Sequence, residues 1–166
     1  KKCFEYAYNS SNPSYIRVPK AGEANIHKEE DIDITKPIII KNGQDGILFV
    51  HSSMIDEIET LAKLLQEQSI QLTFATVPMI TTKCKFEEIL SEFEHVFTLE
   101  EHYLNGGFGS ILLDYINDNN ISKRINKFGI KNEYIHKIGN RDFLRNYYGI
   151  NAKSLSTKIQ KVIHNG

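Results

Sequence analysis

Thr98-Leu99-Glu100-Glu101-His102-Tyr103-Leu104-Asn105-Gly106-Gly107-Phe108-Gly109-Ser110 carries a carboxylate pair, a histidine and three glycines in one short run. The apolar segment His95–Thr98 before it reads as the end of a strand. The segment from Ser110 to about Ile116 after it reads as a helix, with Ile111, Leu112, Tyr115 and Ile116 at helical spacing. A turn this rich in glycine is a strand-to-helix corner where the backbone comes close to something. That neighbour is a packed helix, a partner subunit or an anion. The amide groups of Gly106-Gly107-Phe108-Gly109 ahead of a helix suit an anion. The glycines equally suit close packing of the helix on a sheet, which is the favoured reading.

Outward from this corner the chain alternates between strand and helix patterns. Pro37–Lys41 is apolar and β-branched, and Ile47–Val50 is apolar throughout, as in a strand covered on both faces. The turn cluster Asn42-Gly43-Gln44-Asp45-Gly46 between them predicts an antiparallel pair. Ser53, with Asp56 three residues on, resembles a capping box opening a helix. That helix has Met54, Ile55, Ile58, Leu61, Ala62 and Leu65 as its apolar stripe. Ile70, Leu72, Phe74 and Thr76 alternate as a strand, Phe86–Phe93 marks a helix, and Arg124–Phe128 a last strand. Two helices follow, around Phe143–Tyr148 (closed by Gly149) and from Ala152 to Ile163 with Asn151 as cap. This alternation predicts a three-layer α/β/α sandwich.

Residues 1–20 read differently. Phe4, Tyr6, Ala7 and Tyr8 suit the end of an amphipathic helix, Asn9–Pro13 is a loop, and Tyr15–Val18 reads as a short strand. These pieces cannot enclose a core of their own. They are expected to be the tail of a preceding domain, joined by a polar linker over 21–36 to a domain over 37–166. The chain begins at Lys1 without an initiator methionine, which reads as a fragment boundary.

Composition bounds the chemistry. With 166 residues, 40% hydrophobic and 25% charged, the chain has apolar content enough for one packed domain. A net charge of -1 gives no global pull toward nucleic acid or an anionic membrane. No apolar run reaches membrane-spanning length. Cys3 and Cys84 lie far apart and complete no zinc motif, so free thiols and a reducing, cytoplasmic setting are expected. His51, Ser52 and Ser53 at a strand end invite a nucleophilic triad, but no Gly-x-Ser-x-Gly elbow accompanies them. Neither glycine cluster has Walker spacing. Glu100, Glu101 and His102 contain the groups of an acid/base set. Adjacent strand residues point to opposite faces, however, so all three are not expected to meet one substrate. A carboxylate that pairs across an interface or bonds the following turn is the commoner outcome.

Several landmarks occur in order along the whole chain: Tyr15-Ile16-Arg17-Val18-Pro19-Lys20, Ile47-Leu48-Phe49-Val50-His51-Ser52-Ser53, Thr98–His102 with Gly106–Ser110, then Phe128-Gly129-Ile130, Ile138-Gly139 and Tyr148-Gly149-Ile150. Together they resemble the C-terminal third of transketolase-like, thiamine-diphosphate-dependent enzymes. That group includes transketolase, deoxyxylulose-phosphate synthase and the beta subunits of 2-oxo-acid dehydrogenases. The chain departs from it where Val50-His51-Ser52-Ser53 stands in place of a small residue and Thr-Gly-Ser.

The resemblance implies a roughly five-stranded mixed sheet, first strand antiparallel, in a domain that does not touch the cofactor. It implies thiamine diphosphate and a divalent metal (Mg) in the full enzyme, and none bound by this fragment. The partners it implies are the enzyme's own N-terminal domains or a separate cofactor-binding subunit, and a homodimer. It gives Arg17 a role in holding a substrate phosphate in the full enzyme. Glu100, Glu101, His102, Gly106, Gly107 and Gly109 become an interface or structural motif, with no catalytic or metal residue in the chain. The implied activity is transfer of a two-carbon ketol unit between sugar phosphates, with the isolated fragment inactive. Beside it stands a different class: a stand-alone α/β module that binds a partner or regulatory ligand without catalysis.

Overall fold

A computed structural model of the chain describes residues 1–18, 32–80 and 84–165. Five strands form one sheet: β1 (Ile38–Lys41), β2 (Ile47–Val50), β3 (Thr73–Thr76), β4 (Val96–Tyr103) and β5 (Ile125–Ile130). Their order is β1-β3-β2-β4-β5. β1 runs antiparallel to β3, and every other pairing is parallel. The helices are α1 (Lys2–Asn9), α2 (Ile58–Gln66), α3 (Glu87–Ser91), α4 (Phe108–Asp118), α5 (Arg141–Tyr147) and α6 (Ala152–Asn165).

The strand period of two divides β2 between two cores. Leu48 and Val50 join Phe74, Phe97, Leu99 and Phe128 beneath α2 and α6, through Leu61, Leu65, Leu155 and Ile159. Ile47 and Phe49 join Ala75 and Val96 beneath α3 and α4, through Leu90, Phe108 and Leu112. Sheet between two helical layers is the predicted sandwich. All four β2 residues are buried, which fits their unbroken apolar run.

Four local expectations need correction. β1 and β2 are not neighbours, because β3 lies between them. Their connection is held to the segment that enters β3: Gln44 N and Asp45 N both donate to Gln71 O, and Gly43 N donates to Thr73 Oγ1. β2 instead lies between β3 and β4 and runs parallel to both. Ser53 is not a helix cap. It lies inside a 3-10 turn over Ser52–Glu57 that precedes α2, and its hydroxyl donates to Glu101. Tyr15–Val18 forms no strand and pairs with no sheet edge, leaving Tyr15 90% and Val18 75% exposed. Finally, β4 does not end at Thr98 but runs through Glu100, Glu101 and His102 to Tyr103.

Most of the expected linker falls outside the described residues. Where the chain resumes, Ile34 is already buried. Asn151 and Gly149 take the places read for them, and Asn140 adds a cap that the sequence pattern did not single out. Asn140 caps α5 by accepting from Phe143 N at 2.8 Å, and Asn151 accepts from Ser154 N at 3.1 Å in the first turn of α6. Gly149, at φ 64, takes the left-handed position between them.

Candidate functional site

The β4–α4 corner is closed on its own carboxylate. Glu100 is 1% exposed, and it accepts from Phe108 N at 2.6 Å and from Gly109 N at 2.9 Å. The first turn of a helix leaves its amide hydrogens unsatisfied and carries partial positive charge. Here the anion that satisfies them is supplied eight residues upstream by the same chain. The glycines make room for this approach. A Cβ at position 107 would lie 2.1 Å from Glu100 Oε2, and one at position 109 would lie 2.6 Å from Thr98 Oγ1. Around the corner Ser110 Oγ and Lys127 Nζ both donate to Leu104 O, at 2.7 and 3.0 Å. Gly106, at φ 75, is the exposed left-handed residue of the turn.

The next carboxylate, on the opposite face of β4, serves a different structure. Glu101 accepts from the Ser53 hydroxyl and from Arg145 Nε at 3.2 Å. Arg145 is 2% exposed and also bonds Glu57 Oε1 at 3.2 Å and Ser53 O at 2.9 Å. Asp56 lies 3.9 Å from Arg145 and 3.0 Å from Arg141. The second oxygen of Glu57 accepts from Ala152 N at 2.8 Å, fixing the start of α6. Burial alone would raise the Glu101 pKa, but bonds from Ser53 and Arg145 outweigh it and hold it below the ordinary value. The stability this adds is present above the ordinary carboxylate range and is lost as pH falls through the lowered value. No local sequence signal sets Arg145 apart from a surface arginine. Only the folding of α5 against the end of β4 brings it to Glu101.

His51 ends β2. Its Nδ1 lies 3.2 Å from Val77 O, and its ring stacks on Phe108 with centroids 5.7 Å apart. Burial pushes the His51 pKa down, and the charges of Arg17 and His102 push the same way. The Val77 bond and Glu100 oppose them. A depressed histidine binds fewer protons folded than unfolded. His51 therefore lowers stability progressively as pH falls below its unperturbed 6.5. We expect stability measured by urea unfolding to decline from pH 7 to pH 5 in the wild type, and His51→Gln to flatten that slope. An unchanged slope in the variant would remove His51 as the cause.

His102 is exposed, with Nδ1 3.0 Å from Tyr103 O, and Arg17 is exposed on the segment after α1. The structure thus separates Glu100, Glu101 and His102: Glu100 meets the start of α4, Glu101 meets Ser53 and Arg145, and His102 stays exposed. Among the described residues, no group of three or more His, Cys, Asp or Glu is placed to hold a metal ion. Nor do the residues at the glycine corner fit a diphosphate, because Glu100 already holds the amides that would bind one. No helix among the described residues is long and apolar enough to cross a membrane.

A family model described as the C-terminal domain of transketolase matches residues 36–155. A 1-deoxy-D-xylulose-5-phosphate synthase of Fusobacterium nucleatum is 26% identical over 92% of this chain and 26% of its own length. A putative transketolase C-terminal section of Methanocaldococcus jannaschii is 28% identical over 90% of this chain and 48% of its own. One subunit of an apulose-4-phosphate transketolase from Actinobacillus succinogenes is 28% identical over 93% of this chain and 51% of its own. The chain spans about a quarter to about a half of these relatives. Among solved structures, a split-gene transketolase described as an inactive beta4 tetramer superposes with TM-score 0.83. That match has 19% identity and covers 98% of this chain and 54% of that one. A Campylobacter jejuni transketolase gives TM-score 0.58 at 13% identity, over 81% of this chain and 20% of that one. These two likenesses concern the fold.

Proposed function

Because this chain belongs to the transketolase C-terminal domain family, we propose that it is the supporting C-terminal part of an enzyme that transfers a two-carbon ketol unit between sugar phosphates. Thiamine diphosphate and its divalent metal are held elsewhere in that enzyme, on N-terminal domains or on a separate subunit. The observation that carries this reading is the closed corner. The helix N-terminus where the sequence offers an anion site is filled by the buried Glu100 carboxylate. This domain therefore lends structure, and catalysis belongs to its neighbours. The isolated chain is inactive on this reading.

Relatives described as a C-terminal section and as one subunit of a transketolase support a partner that brings the cofactor half. Exposed Phe4, Tyr8, Ile138 and Tyr147 are apolar groups that such a partner, or a second copy in a homodimer, would cover. The division into 1–20, 21–36 and 37–166 follows the same reading, with the first segment belonging to the preceding domain. Arg17 stands on that segment and is the chain's contribution to substrate binding. Its planar fork pairs with phosphate oxygens.

The test is a ketol-transfer assay of the enzyme that contains this chain, with Arg17→Ala alongside. Losing a charged hydrogen bond worth about 1.5–3 kcal/mol should raise KM for the phosphorylated donor about ten- to a hundredfold. KM for a non-phosphorylated donor should stay within about twofold. Equal KM values for the phosphorylated donor in variant and wild type would remove Arg17 from the site.

A further inference from the structure

Cys3 and Cys84 stand far apart in the sequence, and the fold brings both thiols to one dipeptide. Cys3 Sγ donates to Pro78 O at 3.8 Å, and Cys84 Sγ donates to Met79 O at 2.7 Å. Ordinary bond lengths keep the carbonyl oxygens of adjacent residues within about 6 Å, so the two sulfurs lie within about 12 Å of each other. Pro78 and Met79 follow β3, so the thiols meet at the carboxyl end of that strand.

The two positions differ in access and in freedom to move. Cys84 is 3% exposed and belongs to the core beneath α3 and α4, with Val77 and Phe86. Cys3 is half-buried on α1. Cys3 and Ala7, one turn apart, form the face of α1 that is not exposed, and no residue of the helix is fully buried. A helix held by so little apolar contact shifts at low cost.

We propose that Cys3 and Cys84 form a redox modification site, converted to an intramolecular disulfide by a low-molecular-weight disulfide of the glutathione class. The Cys3 thiolate, the more accessible of the two, attacks one sulfur of the oxidant. The oxidant's S–S bond breaks, one thiol leaves, and a mixed disulfide remains at Cys3. A disulfide needs Cα atoms about 4.4–6.8 Å apart, and α1 closes the distance by sliding over Pro78. The Cys84 thiolate then attacks Cys3 Sγ and expels the second thiol. The two protons lost by the cysteines end on the two released thiols. The protein gives up two electrons and the oxidant takes them. The new bond pins α1, and the segment that leads from it to Arg17, to the end of β3. Reduced glutathione reverses the exchange, so in a reducing compartment the bond is a response to oxidation and not a permanent staple. This inference stands on the cysteine geometry and is independent of the ketol-transfer reading.

The experiment equilibrates the 166-residue chain with reduced and oxidised glutathione, then traps the remaining thiols by acid and alkylation. Peptide mass mapping should find the Cys3 and Cys84 peptides joined within a monomer. The equilibrium constant for the bond should be about a hundredfold higher in the folded chain than in concentrated urea, where only chain diffusion brings the thiols together. Cys84→Ser should stop at a mixed disulfide on Cys3, and Cys3→Ser should leave Cys84 unreacted in the folded chain. A folded constant less than about tenfold above the urea value would overturn the proposal. So would chains linked to one another through Cys3, or a mixed disulfide that persists at Cys3 of the wild type. The comparison of folded with unfolded wild type needs neither variant to fold.

Discussion

Replacing Arg145 by Met is expected to lower the unfolding free energy by about 3–5 kcal/mol. Arg145 is 2% exposed and joins Glu101, Glu57 and the Ser53 carbonyl. Met keeps much of the side-chain volume and removes the cation. Glu101 and Glu57 are then left facing each other with no positive partner, and Glu57 also loses the geometry that holds Ala152 N. Restoring neutrality should recover part of the loss, so Arg145→Met with Glu101→Gln should be more stable than Arg145→Met alone. Urea unfolding at pH 7 measures both. A loss in the single variant below about 1 kcal/mol would mean that the cluster is solvated like a surface salt bridge.

Glu100→Ala carries the second large effect, about 2–5 kcal/mol. It strips the acceptor from Phe108 N and Gly109 N in a corner where Glu100 is 1% exposed. It also removes the negative charge that meets the start of α4. Glu100→Gln keeps the shape and one acceptor, so it should lose about half as much. Amide exchange at Phe108 and Gly109 should speed up in Glu100→Ala well before exchange in α2 or α6 changes. Stability within about 0.5 kcal/mol of the wild type would show that water replaces the carboxylate without cost.

Much of the architecture was legible because the core strands are unbroken apolar runs and the helices carry clean stripes. Ile47–Val50 and the set Ile58, Leu61, Ala62 and Leu65 are buried as their patterns imply. What the pattern misplaced depended on contacts distant in sequence. Three polar residues made Thr98 look like a strand end. Yet β4 continues because Glu100 turns its charge into helix amides, Glu101 turns its own toward Arg145, and pairing with β5 reaches Tyr103. A short connection suggested that β1 and β2 run antiparallel, and they do. Sequence distance cannot reveal that β3, formed later in the chain, inserts between them. Ser53 had the spacing of a cap, and the hydroxyl instead found a carboxylate 48 residues away. The carboxylates and glycines of the corner were visible as a motif. The inward arginine was not, since it is defined by neighbours that only the fold supplies, whereas His51 was visible at its strand end and only its stacking on Phe108 was not.

The central claim is that this domain supports thiamine-diphosphate-dependent ketol transfer carried out by its neighbours. The most direct measurement is the initial rate of ketol transfer from a ketose phosphate to an aldose phosphate. It uses the enzyme containing this chain, freed of cofactor, with and without added thiamine diphosphate and magnesium. A rate that appears only when both are added, and is absent from the 166-residue chain alone under the same conditions, is the predicted result. No transfer by the cofactor-saturated enzyme, or transfer by the isolated chain, would contradict it.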